Sequence, residues 1–293
     1  MFRTNEKFDT KKTVRLILKA SSPNQIYFPH FTKHQEVMLS KLISGNIFMT
    51  NYGASLVTVM AHQTKRKIEA LVAMDPVLFP DPVYHRCFSQ PINFWLKQKG
   101  HFFLHAGCVA ENNQGVLIVG SSGAGKSVLS LSAVRAGFKF LGDEQPILSM
   151  ENGSVKVSAF PRRIRIDSKV AEVFPELSGL RKMSPEKRLV FRIEQIWPNS
   201  ETSSCQPKVL IFPKFHQGIG TIEKKRLDSS VALAKLLKDD YFVLFQTSKL
   251  DRLSQKHLLL FERLVHQTTA FEILYDTKHI PEIPTLFRKL INS

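Results

Sequence analysis

The run Gly120-Ser121-Ser122-Gly123-Ala124-Gly125-Lys126-Ser127 satisfies the spacing G-x-x-x-x-G-K-[ST] at every fixed position. Each fixed residue type has a physical task. The glycines let the backbone curl so that successive N–H groups converge on an anion. A helix that starts at Lys126 adds its positive N-terminal end. The Lys126 ammonium neutralises β- and γ-phosphate oxygens, and the Ser127 hydroxyl takes one position on Mg²⁺. The expected nucleotide-binding residues are therefore Gly120, Ser121, Ser122, Gly123, Ala124, Gly125, Lys126, Ser127 and Val128. The bland alternative is a glycine-rich turn that binds nothing.

A phosphate cradle alone does not define a reaction; an acid must stand near it. An apolar strand ending in aspartate would be the usual source, but Val209-Leu210-Ile211-Phe212 runs into Pro213-Lys214. Asp143-Glu144 follows instead, one helix and one strand beyond Lys126, a distance that returns the pair to the phosphate end of a sheet. One carboxylate of such a pair can take the proton of an acceptor hydroxyl while the other helps bind metal. Arg163 and Arg165 alternate with Ile164 and Ile166, so both arginines lie on one face of an extended segment. Arg163 is a candidate to reach a γ-phosphate and Lys214 a weaker one; an exposed, charged edge strand is the alternative. His216, His257 and His266 have no metal-ligand partners at useful spacing and read as surface or packing residues.

The elements that must position these residues are legible in part. Residues 102–110 predict a strand, 112–115 a turn, and 116–119 a short strand apolar at every position, the buried kind. Residues 126–136 predict a helix capped by Gly137, and 138–141 the strand that ends at Gly142-Asp143-Glu144. Asn152-Gly153 between 147–150 and 155–160 predicts a hairpin. A buried strand at 209–212 and helices at 228–238, 254–267 and 284–291 complete this part. Upstream, 14–18 predicts a strand, 35–43 a helix, and 46–60 with 68–74 a pair of strands. The proline-punctuated stretch 75–82 suggests a boundary, followed by a helix over 91–99. The expected organisation is α/β: a smaller α+β domain over 1–90 and a catalytic domain over 91–293.

Composition bounds the rest. The 293 residues are 43% hydrophobic, enough to bury a sizeable core. No apolar run is long enough for a bilayer, and MFRTNEKFDTKK lacks the apolar stretch of a signal peptide, so a cytoplasmic protein without a membrane role is expected. The three cysteines, Cys87, Cys108 and Cys205, show no CxxC spacing, which argues against a disulfide scaffold or a Cys-based zinc site. The net charge of +16 suits an acidic partner. No zinc-finger spacing, RNP-type aromatic motif or long basic run accompanies it, so a nucleic-acid role ranks last.

Over residues 100–145 the sequence resembles the catalytic domain of HPr kinase/phosphorylase. The resemblance is carried by His105, the Gly115-Val116-Leu117-Ile118-Val119 strand, the loop ending in Lys126-Ser127, Arg135-Ala136-Gly137 and Asp143-Glu144. The later half, with Phe160-Pro161-Arg162-Arg163-Ile164-Arg165 and Leu210-Ile211-Phe212-Pro213, is more similar to the HPr-kinase-like proteins of peptide-modification gene clusters, lasso-peptide precursor kinases among them. The resemblance implies a P-loop kinase core of the HPr kinase and phosphoenolpyruvate carboxykinase type. It implies ATP and Mg²⁺ as cofactors and a protein or peptide serine as acceptor. By position, Asp143 would be the base, Glu144 the metal-side acid, and His105 a neighbour of the transferring phosphate.

Three departures shape the expectation. Glu144 stands where the family has a second aspartate. The family's downstream glycine-rich signature tied to phosphorolysis is missing, so a reverse activity is not expected. Residues 1–90 do not resemble the family's regulatory domain, so HPr itself is a poor candidate substrate. The sequence thus predicts a kinase acting on a serine-bearing, acidic peptide or protein, such as a ribosomal peptide precursor, and leaves room for a homo-oligomer. Two other readings compete: an ATP-binding accessory protein without transfer activity, and a kinase of a small alcohol or free amino acid.

Overall fold

A computed structural model describes residues 15–20, 40–44, 47–50, 59–62, 67–72, 90–160, 163–167, 170, 173–180, 188–239 and 252–293. The chain divides into two compact units, Met1–Lys99 and Gly100–Ser293. The first contains β1 (Arg15–Ala20), β2 (Ser40–Ser44), β3 (Ile47–Thr50), β4 (Val59–His62), β5 (Lys67–Val72) and α1 (Gln90–Gln98). Strands β1 and β5 pair in parallel, while β2, β3 and β4 form an antiparallel sheet. Two expectations are corrected here. The helix expected over 35–43 gives way at Ser40 to a strand, because Leu42 pairs with Phe48 across a hairpin and that pairing overrides a short helical periodicity. The strand expected over 46–60 is two strands paired with each other, and β5 pairs with β1 instead. The expected boundary at 75–82 lies outside the described residues, as do 35–39.

In the second unit the chain runs through β6 (His101–Phe103), β7 (Ala106–Glu111), β8 (Gln114–Val119), α2 (Lys126–Arg135), β9 (Lys139–Asp143), β10 (Ile147–Glu151) and β11 (Ser154–Ser158). It continues with β12 (Ile164–Asp167), β13 (Arg188–Phe191), β14 (Ser204–Phe215), β15 (Glu223–Leu227), α3 (Ser229–Asp239), α4 (Arg252–Gln267), β16 (Thr269–Tyr275) and α5 (Ile283–Ile291). Nine strands make one mixed sheet in the order β6-β10-β11-β14-β8-β7-β9, with β16 joined to β14 and β15 to β16. The β7–β8 and β10–β11 hairpins turn on Asn112-Asn113 and Asn152-Gly153, and all four turn residues have positive φ, as a right-twisted two-residue turn demands.

Strand β8 is apolar at every position from Val116 because both of its faces are covered. Val116 and Ile118 pack with Leu129 of α2 and with Ile283 and Phe287 of α5. Leu117 and Val119 pack on the other side with Leu236 of α3 and Phe261 and Leu264 of α4. Strand β14 alternates in the same way, Val209 and Ile211 to the first layer and Leu210 and Phe212 to the second. The second unit is therefore a mixed α/β structure of three layers. Helix α5 anchors α2: Arg288 holds Glu111 through its Nε at 2.9 Å and donates a second bond, 2.7 Å, to the Ala136 carbonyl. Phe287 fills the layer between them, edge-on to Phe138. Phe287→Ala is expected to lower unfolding stability by about 3–5 kcal/mol, a cavity cost that chemical denaturation measures.

The single strand expected over 102–110 is broken. Ala106 N–H donates to the Leu104 carbonyl at 3.0 Å, which bends the chain at His105 and sends β6 to β10 and β7 to β8. Strand β12 matches the extended segment expected around Ile164 and Ile166, whereas β13, β15 and β16 had no counterpart in the sequence reading. Among the described residues, no helix is long and apolar enough to cross a membrane.

Candidate active site

Strands β14 and β16 run parallel to β8. Strand β9 is antiparallel to β7, as β8 is, so β9 and β8 also point the same way. The carboxyl ends of these strands, Val119, Asp143, Phe215 and Tyr275, therefore fall on one edge of the sheet, and the start of antiparallel β7 falls there too. In open α/β sheets this edge is where ligands bind. Topology alone thus gathers the Gly120–Ser127 loop, Asp143, Glu144 and His105.

The loop leaves β8 and turns directly into α2. Gly125 has φ 92° and ψ 11°, a left-handed conformation that sets the start of the helix. No side chain caps this end. The amides of Gly125, Lys126, Ser127 and Val128 stand at the helix start, where no upstream helical carbonyl can serve them. Ser121, Ser122 and Gly123 are exposed and Ala124 is half-buried, so the loop's outer side is open to solvent. Its inner side rests on β16: the Tyr275 hydroxyl donates to the Ala124 carbonyl at 3.4 Å. Tyr275 is buried, and burial pushes its pKa up to about 12.

Lys126 is buried at the helix start and its ammonium donates to the carbonyls of Gly120, at 2.7 Å, and Ser121, at 3.1 Å. Burial lowers its pKa, and the carboxylates of Asp143, Glu144 and Asp239 act in the opposite sense. The Ser127 hydroxyl donates a 2.6 Å hydrogen bond to Asp143 Oδ2. The next residue, Glu144, has φ 82°, an unusual value for a non-glycine, and its N–H donates to the Ala106 carbonyl at 3.0 Å. Strain of this kind costs about 1–3 kcal/mol and persists where surrounding contacts impose it.

His105 sits in the bend between β6 and β7, with Nδ1 3.3 Å from the Asp239 backbone carbonyl. A carbonyl only accepts, so in the neutral ring Nδ1 carries the proton and Nε2 the lone pair. Burial first, and the Lys126 charge second, lower the His105 pKa, so the ring is neutral near pH 7. Of the other expected residues, Arg163 is exposed ahead of β12, which belongs to a separate two-stranded sheet with β13. Ile164 and Ile166 do face inward there, as their alternation predicts. Arg162 lies outside the described residues. Lys214 is held by Glu272 at 2.9 Å, and Lys235 of α3 takes the other oxygen of the same carboxylate at 2.8 Å. Both lysines hold the Glu272 carboxyl below the usual range, Lys235 first.

Two residues of this edge escaped the sequence reading. Tyr275 ends Thr269–Tyr275, a β-branched and aromatic run that did carry a strand signal. Asp239 had no signal at all, because it meets His105 only when the end of α3 folds over from 134 residues away. Among the described residues, no group of three or more His, Cys, Asp or Glu side chains could hold a metal ion. A magnesium site needs no such cage, since one or two carboxylates plus phosphate oxygens and water suffice. Ser127 and Asp143, already in contact, are the pair that suits it.

No protein-family model matches the chain, and no curated protein matches it. Among solved structures, it is similar to the Hpr(Ser) kinase/phosphatase from Coxiella burnetii at 14% sequence identity; the match covers 65% of this chain and 93% of that chain, with a TM-score of 0.33.

Proposed function

We propose that the chain is an ATP- and Mg²⁺-dependent phosphotransferase of the P-loop kinase type that phosphorylates a serine hydroxyl of a peptide or protein. The observation that carries this reading is the 2.6 Å bond from Ser127 Oγ to Asp143 Oδ2, one residue from Lys126 at the end of a glycine loop. A bare anion site would need the loop alone; a hydroxyl and a carboxylate joined beside it suit a nucleotide's metal. When bound, Mg²⁺ neutralises charge on the β- and γ-oxygens and orients them. Lys126 would exchange its loop carbonyls for phosphate oxygens, and the amides of Gly125 to Val128 would hold the same anion.

This geometry favours Asp143 on the metal side. Glu144 is then the carboxylate left to take the serine proton while the serine oxygen bonds phosphorus and ADP leaves. That division reverses the roles implied by the family resemblance. His105, neutral and fixed by the α3 carbonyl, offers Nε2 as an acceptor on the same edge. The net charge of +16 supports an acidic acceptor peptide, with residues 1–90 taking part in its recognition.

The test is incubation with γ-labelled ATP and Mg²⁺ against serine-containing acidic peptides and free serine. Label on a serine peptide, absent with Lys126→Ala, is the expected result. Asp143→Asn is expected to raise the Mg²⁺ requirement, whereas Glu144→Gln lowers the rate even at saturating Mg²⁺. Tight ATP binding with no transfer to any acceptor would make the chain a nucleotide-binding accessory protein, and label on free serine alone would make it a small-molecule kinase.

A further inference from the structure

Phe215 is the last residue of β14 and remains 51% exposed. A single exposed aromatic is ordinarily unremarkable, but this one has a defined place. Along β14, Val209 and Ile211 face the α2 layer, and alternation puts Pro213 and Phe215 on that same face beyond them. Pro213 adjoins the start of the glycine loop: a Cβ built on Gly120 would lie 3.8 Å from its Cδ. Phe215 is the register partner of Tyr275 across the β14–β16 pairing, and the two rings meet edge to face with centroids 5.8 Å apart. Tyr275 in turn reaches the Ala124 carbonyl. The backbone beyond Phe215 is pinned as well, since His216 N–H donates to the Tyr275 carbonyl at 2.9 Å. An open aromatic ring thus stands on a rigid strand end, one ring away from the loop.

We infer that Phe215 is the stacking platform for the purine base of the nucleotide whose phosphates occupy the Gly120–Ser127 loop. The inference rests on the phosphate-binding reading of that loop and adds the base to it. Bases stack on aromatic side chains through faces that every base possesses, so a platform of this kind binds without reading the base edge. His105, in the β6–β7 bend, is met by Asp239 at the end of α3, and α3 packs on the opposite face of the sheet. The base and the acceptor therefore have separate sides of the loop. A donor preference set by stacking is shallow: ATP and GTP bind with affinities within a few-fold of each other.

The experiment compares Mg-ATP with magnesium tripolyphosphate, which carries the phosphates and no base, by calorimetry on the full chain. Phe215→Ala is expected to weaken ATP about tenfold, within the range of base–aromatic stacking, and to leave tripolyphosphate unchanged. Phe215→Trp is expected to restore ATP binding. Unchanged tripolyphosphate binding also reports that the variant is folded around the loop. The inference is overturned if Phe215→Ala binds ATP as the wild type does, or if it loses ATP and tripolyphosphate equally. A wild type that binds tripolyphosphate no more weakly than ATP overturns the platform alone. A wild type that binds neither overturns the phosphate-binding reading together with it.

Discussion

Lys126→Met is expected to remove phosphate transfer almost entirely, with the rate falling by at least about 10²–10³, the loss that follows removal of one preorganised donor to developing charge. A buried ammonium is desolvated, so whatever oxygen it meets interacts with it more strongly than in water. It now meets the Gly120 and Ser121 carbonyls, two neutral acceptors that a phosphate outcompetes. Methionine is unbranched and only one heavy atom shorter than lysine, so it fills most of the same space, which separates the loss of charge from a packing defect. A thermal melt close to that of the wild type would confirm the separation.

The same group predicts a pH limb. Only the ammonium form holds phosphate, and burial lowers the Lys126 pKa below its ordinary value. ATP affinity should therefore fall as pH rises through that lowered value, earlier than for an exposed lysine. Asp239→Asn removes one of the carboxylates that keep Lys126 charged, so it should move the limb to lower pH. An affinity-against-pH profile that is flat in the wild type, or unmoved by Asp239→Asn, would contradict this account.

Gly125→Ala is the second large effect. At φ 92° a Cβ is strained whatever the space around it. Here there is no space: the added carbon would overlap the Tyr275 hydroxyl oxygen, and the next atom, Cζ, lies 3.1 Å away. Tyr275 cannot withdraw, since it is buried beneath the loop. The expected outcome is a loop pushed off β16 and a loss of ATP affinity of about 100-fold or more. The overlap has a specific remedy. Tyr275→Phe deletes the colliding oxygen, so the double variant should regain much of the affinity lost by Gly125→Ala, although Tyr275→Phe alone forfeits the bond to Ala124. Such a rescue is a coupling between two residues in contact. Equal losses in the single and double variants would mean that the strained φ, and not the tyrosine, makes Gly125 necessary.

These predictions draw on unequal contributions from sequence and structure. The loop was legible because its chemistry and its conformation reside in the same few residues: glycines curl, Lys126 is charged, Ser127 has a hydroxyl. Strand β8 was legible because a strand covered on both faces must be apolar throughout, and the β10–β11 hairpin because Asn152-Gly153 tolerates positive φ at both positions. Helices α3, α4 and α5 announced themselves by periodicity and caps.

What escaped was whatever depends on partners. Ser40 to Ile43 carry little local preference, and pairing with β3 made them a strand. The continuous apolar pattern around His105 hid a bend that exists because β6 and β7 serve different neighbours. The sequence by itself determined a glycine loop with Lys126 and Ser127 between a buried strand and a helix, and carboxylates one strand further on. Only the tertiary structure decided that Asp143 meets the Ser127 hydroxyl, that Asp239 closes over His105, and that Tyr275 supports the loop while Phe215 stands open beside it. The reason is physical: backbone chemistry acts between neighbours in sequence, whereas the parallel pairing of β8, β14 and β16 aligns strand ends that the chain itself keeps far apart.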